Sequence, residues 1–215
     1  MNRKYTLLAL IIIVLGVISI VFVVILNSIN IKVAYIPDEK LSHGWYEDTS
    51  LRSSSSYILG FEQCRSITYK FNNDSSAILV VITVKSLGWL NSKQLEEKID
   101  YFLEYNIKDK NITINESMKK RGERVHPNGH RAVYILSRGT YQEENITFNV
   151  ELIGEAWNCD ISGTSIICIG YACTTRINDN RVYEDKSRYR AMVADQLASV
   201  DGIRGEGLIV NVACH

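Results

Sequence analysis

Two histidines of this 215-residue chain, His126 and His130, stand four residues apart. Imidazole nitrogens bind zinc, and a helix would place two rings with this spacing on one face. Pro127 and Gly129 lie between the histidines, however, which favours a turn. A turn can still bring both rings together, but a zinc site usually has at least three protein ligands. The pattern favours two solvent-facing turn histidines, with a metal site at His126 and His130 as the alternative, and it predicts no cofactor.

The cysteines can form disulfides, act as nucleophiles or pack as small apolar groups. Cys159 and Cys168 flank a turn-like hexapeptide between two apolar runs, so a hairpin would bring them close. They are the first predicted disulfide pair, and Cys64 with Cys173 is the second. A nucleophilic role would fall to Cys173 or Cys214 with a histidine, but no redox or nucleophile-elbow motif accompanies them. Structural cysteines are therefore the prediction.

Three acidic residues lie near one another along a predicted hairpin: Glu151, Glu155 and Asp160, with Trp157 among them. Glu151 and Glu155 share one face of a strand, because side chains alternate with a period of two. Paired carboxylates beside an aromatic ring are suited to glycoside chemistry. Outward-facing strand acids are the more common explanation, so the sequence names no catalytic residue.

An unbroken apolar run, Leu7–Leu26, precedes all of these residues. A bilayer core of about 30 Å needs about 20 apolar residues in a helix, and the run supplies them. A cleavable signal peptide usually has a shorter apolar core, of about 7–15 residues, that ends in a small-residue cleavage site. Here the run passes into the polar segment Asn27–Lys32 without such a site. The sequence therefore predicts one uncleaved transmembrane helix.

The charges that flank the run predict its orientation. Arg3 and Lys4 precede it, whereas the charges just after it cancel, and positive residues favour the cytoplasmic side. The amino terminus is thus expected inside the cell and the rest outside, where disulfides form. The predicted segments are a cytoplasmic terminus (1–6), a transmembrane helix (7–26), a linker or domain entry (27–56) and an extracytoplasmic domain (57–215).

The charge balance excludes one class of partner. The chain has 24 basic and 24 acidic residues, so without Arg3 and Lys4 the remaining 22 basic residues leave a net charge of −2. Nucleic-acid binding needs a basic surface, so we expect no nucleic-acid partner. The expected contacts are the membrane, through Leu7–Leu26, and a protein at the cell surface. Four glycosylation sequons are also present, at Asn73, Asn111, Asn115 and Asn145.

The periodicity of apolar residues predicts the elements that position these side chains. Leu95, Ile99, Phe102 and Leu103 recur at helical spacing after Asn91, a suitable cap with Gln94 three residues on. Most other apolar runs alternate or are β-branched, as in strands, and are separated by turn signals. The predicted strands are Tyr57–Glu62, Arg65–Phe71, Ala77–Val84, Ile112–Glu116, Arg121–Val125, Arg131–Arg138, Ile146–Cys159, Ser165–Thr174 and the edge Leu208–Ala213, with helices over 91–106 and Asp185–Val200.

This order predicts an α+β fold, in which an antiparallel sheet packs against helices. It resembles the PsbP-like α/β/α sandwich superfamily over about residues 57–200. The helix Leu95–Leu103, the turn Asn128-Gly129-His130-Arg131-Ala132, the hairpin of Ile146–Cys159 with Ser165–Thr174, and the helix Met192–Val200 carry the resemblance.

The resemblance implies an accessory or binding protein, because members of that superfamily are mostly extracytoplasmic and no catalytic motif defines them. Some serve a photosynthetic complex and others bind a GTPase. The amino-terminal anchor departs from the lumenal members, which puts a photosynthetic role in doubt. We therefore expect a membrane-anchored, non-enzymatic interaction module. The alternative is an anchored hydrolase that uses the turn histidines or the hairpin acids.

Overall fold

The architecture is described by a computed structural model of the whole chain. It describes residues 3–28, 31–41, 44–57, 62–71, 74–86, 88–108, 110–126, 128–143, 146–176 and 207–214, with the side chains of the first helix described over residues 9–21. The predicted helix Asp185–Val200 and the sequons at Asn73 and Asn145 lie outside the described residues.

Eight described strands form one antiparallel sheet, as the alternating and β-branched runs predict. Its order is β1-β3-β4-β8-β7-β6-β5, and β2 pairs with β3 on the same side as β1. The strands are β1 (Trp45–Glu47), β2 (Ser53–Tyr57), β3 (Glu62–Phe71), β4 (Asp74–Lys85), β5 (Ile112–Val125), β6 (Arg131–Glu143), β7 (Ile146–Cys159) and β8 (Thr164–Arg176), and the helices are α1 (Arg3–Ser28) and α2 (Ser92–Ile107).

One surface of the sheet, which we call the helix face, packs against α2. Asn91 caps α2, and Gln94 returns the capping hydrogen bond to the Asn91 backbone, as the sequence predicts. The buried stripe of α2, with Leu95, Ile99 and Leu103, then lies on the central strands. Gly154 of β7 is needed for this contact, because a Cβ there would come within 2.0 Å of the Ile99 side chain.

The opposite surface, which we call the terminal face, is covered by two segments from the ends of the chain. Residues 31–36 and 207–214 bury Ala34, Ile36, Leu208 and Ile209 against the sheet. Tyr35 and Ala213 join the two segments by a pair of backbone hydrogen bonds, of 3.0 and 2.8 Å. The sheet therefore has a buried core on both sides, which explains the near-continuous apolar run of β4.

The amino-terminal entry differs from the sequence interpretation of 27–56 as mostly irregular. Residues 31–57 contain β1, β2 and two short 3-10 turns, Asp38–Lys40 and Thr49–Leu51. The Ala34 amide donates to Thr83 Oγ1 and the Ile36 amide donates to the Tyr69 hydroxyl, both at 2.8 Å. Most of this segment belongs to the folded domain, since the sheet supplies hydrogen-bond partners that local sequence does not reveal.

Other boundaries also differ. In the predicted strand Tyr57–Glu62, residues 58–61 lie outside the described residues, while Tyr57 ends β2 and Glu62 begins β3. The two short strands predicted over 112–125 form one strand, β5, whose register shifts between Asn115 and Lys120. The strand predicted to end at Arg138 continues as β6 to Glu143. Gly139 lies inside it, where the absence of a side chain is required because a Cβ would lie 2.2 Å from the Thr113 carbonyl oxygen. The predicted edge strand Leu208–Ala213 is instead a 3-10 turn, Ile209–Asn211, followed by the single bridge at Ala213.

The apolar run near the amino terminus forms α1, and its described side chains face outward. From Leu10 to Val21 the large apolar side chains are 46–65% exposed. A search of the described residues found no helix that is both long and apolar enough to cross a membrane. The transmembrane span over residues 7–26 therefore stays a prediction.

Candidate functional site

A buried ionic cluster lies on the terminal face, where side chains of β5 and β7 contact each other across the intervening strand β6. The Arg124 guanidinium donates two hydrogen bonds to the Glu155 carboxylate, one from Nε to Oε1 at 2.5 Å and one from its terminal nitrogen to Oε2. His126 Nε2 lies 2.5 Å from Glu155 Oε1. The side chains of His126 and Glu155 are wholly buried, and that of Arg124 is 8% exposed. A buried carboxylate is tolerated here because both oxygens are hydrogen-bonded and one partner is a cation.

The turn between β5 and β6 places His126. The His126 amide donates to the His130 carbonyl at 2.9 Å, and the Gly129 amide donates to the His126 carbonyl at 2.8 Å. Gly129 has a φ of 88°, a left-handed conformation that glycine adopts without strain. The turn that the sequence predicts at 126–129 is thus present, but it directs His126 inward rather than towards solvent.

Trp157 connects the two histidines. Its ring lies 4.7 Å from the His126 ring, edge-on, and 6.4 Å from the His130 ring, nearly parallel. The indole nitrogen of Trp157 and Nδ1 of His126 are buried and make no hydrogen bond. The side chains of His126 and Trp157 are both closed to solvent. These two residues therefore hold neighbouring groups in place and cannot contact a substrate.

The sequence predicted Cys159–Cys168 and Cys64–Cys173 as disulfide pairs, and the structure corrects both. Cys159 is bonded to Cys214. In the β7–β8 hairpin Cys159 lies opposite Thr164, whereas Cys168 lies opposite Glu155, four residues or about 13 Å further along the ladder. The hairpin is real, but its register keeps the two sulfurs apart.

The second predicted pair is separated by the order of the strands. Cys64 of β3 lies level with Ser165 of β8 through their common neighbour Val84, and Cys173 lies eight residues further along β8. Cys64 and Cys168 are buried free thiols. Burial, together with the nearby Glu62 carboxylate, raises the pKa of Cys64 to about 11, and burial raises the pKa of Cys168 well above its ordinary value. Neither thiol is activated as a nucleophile.

The carboxylates considered for catalysis do not converge. Glu155 is the acid that joins the histidine cluster, and the sequence offered no signal for this beyond its place near Trp157. Glu151 instead faces Arg138 of β6 at 3.4 Å, and Asp160 is exposed in the β7–β8 turn. The role of Arg124 was missed altogether, because its partner lies 31 residues away and only the strand register brings them together.

Among the described residues, two clefts along the sheet are notable, and the buried cluster lines neither of them. The larger, of about 750 Å³, follows the irregular part of β5 and is lined by Asn115, Ser117, Arg138 and Glu151 among others.

Both asparagines of the two described sequons, Asn111 and Asn115, are exposed. The Asn115 side chain accepts hydrogen bonds from the amide and hydroxyl of Ser117.

The smaller cleft, of about 280 Å³, lies between β2, β3 and α2, and we call it the α2–β2 cleft. Its floor includes Val80 and Ile82 of β4 and the Cys64 thiol. Tyr101 and Tyr105 of α2 form its rim, with exposed fractions of 50% and 68% and nearly parallel rings 6.3 Å apart. Exposed stacked tyrosines beside an apolar floor are typical of protein contact sites.

Comparisons of this chain with family models, with curated proteins and with solved structures found no match. The resemblance to the PsbP-like superfamily is therefore untested and stays a prediction, and the function has to be argued from the geometry alone.

Proposed function

We propose that this protein is a membrane-anchored, extracytoplasmic interaction module that binds an extended segment of a partner polypeptide along β2. The observation that carries the proposal is a sheet edge, β2, which pairs with no described strand except β3 and lies beside the α2–β2 cleft. An edge strand presents backbone N–H and C=O groups that another extended chain can pair with, while adjacent pockets select its side chains.

The two edges of the sheet differ in how they discourage such pairing. The outer strand β5 carries six charged residues between Glu116 and Arg124 and is interrupted by its register shift after Asn115. Charges and bulges of this kind block edge-to-edge association. The β2 strand is Ser53-Ser54-Ser55-Ser56-Tyr57, with no charge, proline or bulge, and it pairs with no described strand except β3.

The α2–β2 cleft supplies the side-chain contacts that strand addition needs. Ser53 and Ser55 of β2 line the cleft together with Tyr101 and Tyr105, so a strand added to β2 would direct alternate side chains over it. None of the described residues that line the cleft is charged, and the nearby Lys98 of α2 is paired with Glu62 of β3. The expected partner segment is therefore extended and carries apolar or aromatic side chains at every second position.

The anchor and the location rest on two further observations. The apolar side chains of α1 from Leu10 to Val21 are exposed on all sides of the helix, and an all-apolar helix without a protein core around it is typical of a lipid-embedded segment. The Cys159–Cys214 disulfide is typical of an oxidising compartment. Together they favour a domain held outside the cell at the membrane.

The edge is tested with a photo-crosslinking amino acid placed at position 54 of the full chain in native membranes. We expect one discrete cross-linked protein, whose cross-linked peptide is an extended segment identified by mass spectrometry. The same probe at Thr113, an exposed hydroxyl residue of β5, is the matched control and should give none. Adding the Tyr105→Ala substitution should reduce the cross-link at position 54 at least about tenfold, as loss of one interface tyrosine does.

Three results would overturn the edge proposal. Equal cross-linking at positions 54 and 113 would mean that β2 has no special role. A product with twice the mass of the chain would assign β2 to self-association. A Tyr105→Ala cross-link that matches the wild type would remove the cleft from the contact, provided that Tyr35→Ala, an exposed tyrosine on the terminal face, is also neutral.

The anchor is tested separately. We expect the full chain to stay with membranes after alkaline carbonate extraction, and external protease to degrade the domain while sparing residues 1–6. Release of the chain by carbonate would contradict the anchor without affecting the edge proposal.

A further inference from the structure

We propose that Cys159, Cys214 and His130 form a binding site for a zinc-type metal ion when the disulfide between the two cysteines is reduced. Among the described residues, the ligand atoms of these three side chains lie within 4.8 Å of one another. His130 Nε2 is 3.6 Å from Cys214 Sγ. The sequence offered a metal site at His126 and His130 only as the alternative to two solvent-facing histidines. The structure places His130 beside the two sulfurs and pairs His126 with Glu155.

The distance between His130 and Cys214 fits the geometry of a tetrahedral ion, and reduction frees the two sulfurs to move apart to the spacing of metal ligands. Bond lengths of about 2.3 Å to sulfur and about 2.0 Å to nitrogen put ligand sulfur and nitrogen atoms about 3.5 Å apart in such a site. The separation between His130 and Cys214 already has this value. Two thiolates and one imidazole are a soft donor set that prefers zinc, and three protein ligands leave the fourth position for water.

The three ligands are held by separate elements, so the site does not depend on one flexible segment. Cys159 ends β7, and His130 immediately precedes β6 in a turn anchored by its carbonyl to the His126 amide. The His130 ring also stacks on Trp157, which limits its rotation. Cys214 follows Ala213, whose backbone bonds to Tyr35 hold the carboxy-terminal segment on the sheet. None of these contacts is made by the disulfide bond itself, so the reduced chain has the same hydrogen-bond and stacking partners to hold the three ligands.

The chemistry requires a dithiol reductant. Thiol–disulfide exchange with a dithiol breaks the Cys159–Cys214 bond, transfers two electrons and two protons to the protein sulfurs, and leaves the reductant as its own disulfide. The metal ion then displaces the two thiol protons, because thiolates are the binding form. Disulfide and metal therefore exclude each other, because the same two sulfurs form either the S–S bond or the bonds to the ion.

Cobalt(II) is the probe that tests the site, because it takes the place of zinc and reports its ligands by absorbance. The full chain in detergent is reduced with a dithiol, freed of reductant without air, and titrated. We expect one equivalent to bind, with visible bands of a tetrahedral ion and an ultraviolet thiolate-to-cobalt band. The oxidised chain should give neither signal.

Variants assign the ligands. Cys214→Ser should remove most of the thiolate band, and His130→Asn should weaken cobalt binding at least about 100-fold, since even loss of an outer-shell partner costs up to that factor. Cys64→Ala, which removes a buried thiol on the other face, is the matched control and should bind cobalt like the wild type.

The proposal is overturned if the reduced chain binds no cobalt, or if His130→Asn binds it as tightly as the wild type does. Far-UV circular dichroism follows folding in parallel. If the reduced chain unfolds without metal, one equivalent of cobalt must restore the native spectrum, because binding free energy is then folding free energy. Failure to restore it also overturns the proposal.

Discussion

The helix face and the terminal face of the sheet each carry a buried core, yet they are closed in different ways. On the helix face one continuous amphipathic helix, α2, covers the central strands with aliphatic side chains. On the terminal face two short segments from opposite ends of the chain cover the strands. A disulfide and a buried ion cluster add further contacts there. The first closure comes from one helix and is apolar; the second joins the two ends of the chain and includes ionic and disulfide-bonded residues.

This difference predicts where single substitutions do most harm. Aliphatic packing loses stability in proportion to the volume removed, and neighbouring side chains can partly relax. A buried ion pair that loses one partner leaves an uncompensated charge, and no local relaxation corrects that. The positions at which a substitution lowers stability most should therefore lie on the terminal face, although the long helix α2 packs on the other face.

The largest effect is expected from Glu155→Ala. It leaves the Arg124 guanidinium buried without its carboxylate and removes the acceptor of His126, so we expect a loss of about 4 kcal/mol in the free energy of unfolding. Urea denaturation of the wild type and variant measures it. The control is Glu151→Ala. Glu151 lies on the same face of β7 and is paired with the exposed Arg138, so its loss should cost less than about 1 kcal/mol. Equal losses for the two variants would contradict the comparison.

The second effect concerns the disulfide. Cys214→Ser removes a cross-link between residues 55 apart, which we expect to cost about 3 kcal/mol. Hydrogen exchange should also become faster at Tyr35 and Ala213, because their backbone bonds rely on the same carboxy-terminal segment. If the substitution accelerated hydrogen exchange more in α2 than in residues 31–36, the two faces would not be independent.

The third effect probes packing on the helix face. Gly154→Ala puts a methyl group within 2.0 Å of the Ile99 side chain, and we expect the overpacking to cost about 2 kcal/mol. Ile99→Ala creates the space that this methyl needs. The double variant should therefore be more stable than the sum of the single losses predicts, and strict additivity in a double-mutant cycle would rule out the contact.

The helix cap should have a smaller effect. Asn91→Ala removes the acceptor for the Gln94 amide at the start of α2, at a cost of about 1 kcal/mol. Thermal unfolding compares it with Asn91→Asp, which retains an acceptor and should stay close to the wild type. A cost as large as that of Glu155→Ala would mean that the helix face, not the terminal face, limits stability.

At neutral pH the smallest effect comes from the thiol of Cys64. Its pKa is raised to about 11 in the folded protein, so the folded state keeps a proton that the unfolded chain releases above about pH 9. Stability from this group is therefore complete below pH 9 and is lost as the pH rises towards 11. In the chain with its other thiols replaced, alkylation at pH 8 should be slow until urea unfolds it. Rapid alkylation of the folded chain would contradict the burial of Cys64.

Sequence patterns anticipated much of the fold and little of the site. The cap and stripe of α2, the doubly buried β4 and the bounds of β7 follow from residues within a few positions of one another, and the structure confirms them. The disulfide pairs were wrong because proximity in a hairpin does not set its register. The entry over 27–56 was underestimated because its hydrogen-bond partners, Thr83 and Tyr69, lie on distant strands.

The sequence by itself therefore determined which segments with clear patterns form a helix or a strand, and it marked the apolar run at the amino terminus. It could do so because periodicity, capping and β-branching act over short distances. The tertiary structure decided which side chains meet: Glu155 with Arg124 and His126, Cys159 with Cys214, and His130 with both sulfurs. Those meetings depend on strand order and register, which arise from the packing of the whole sheet and from no single segment of it.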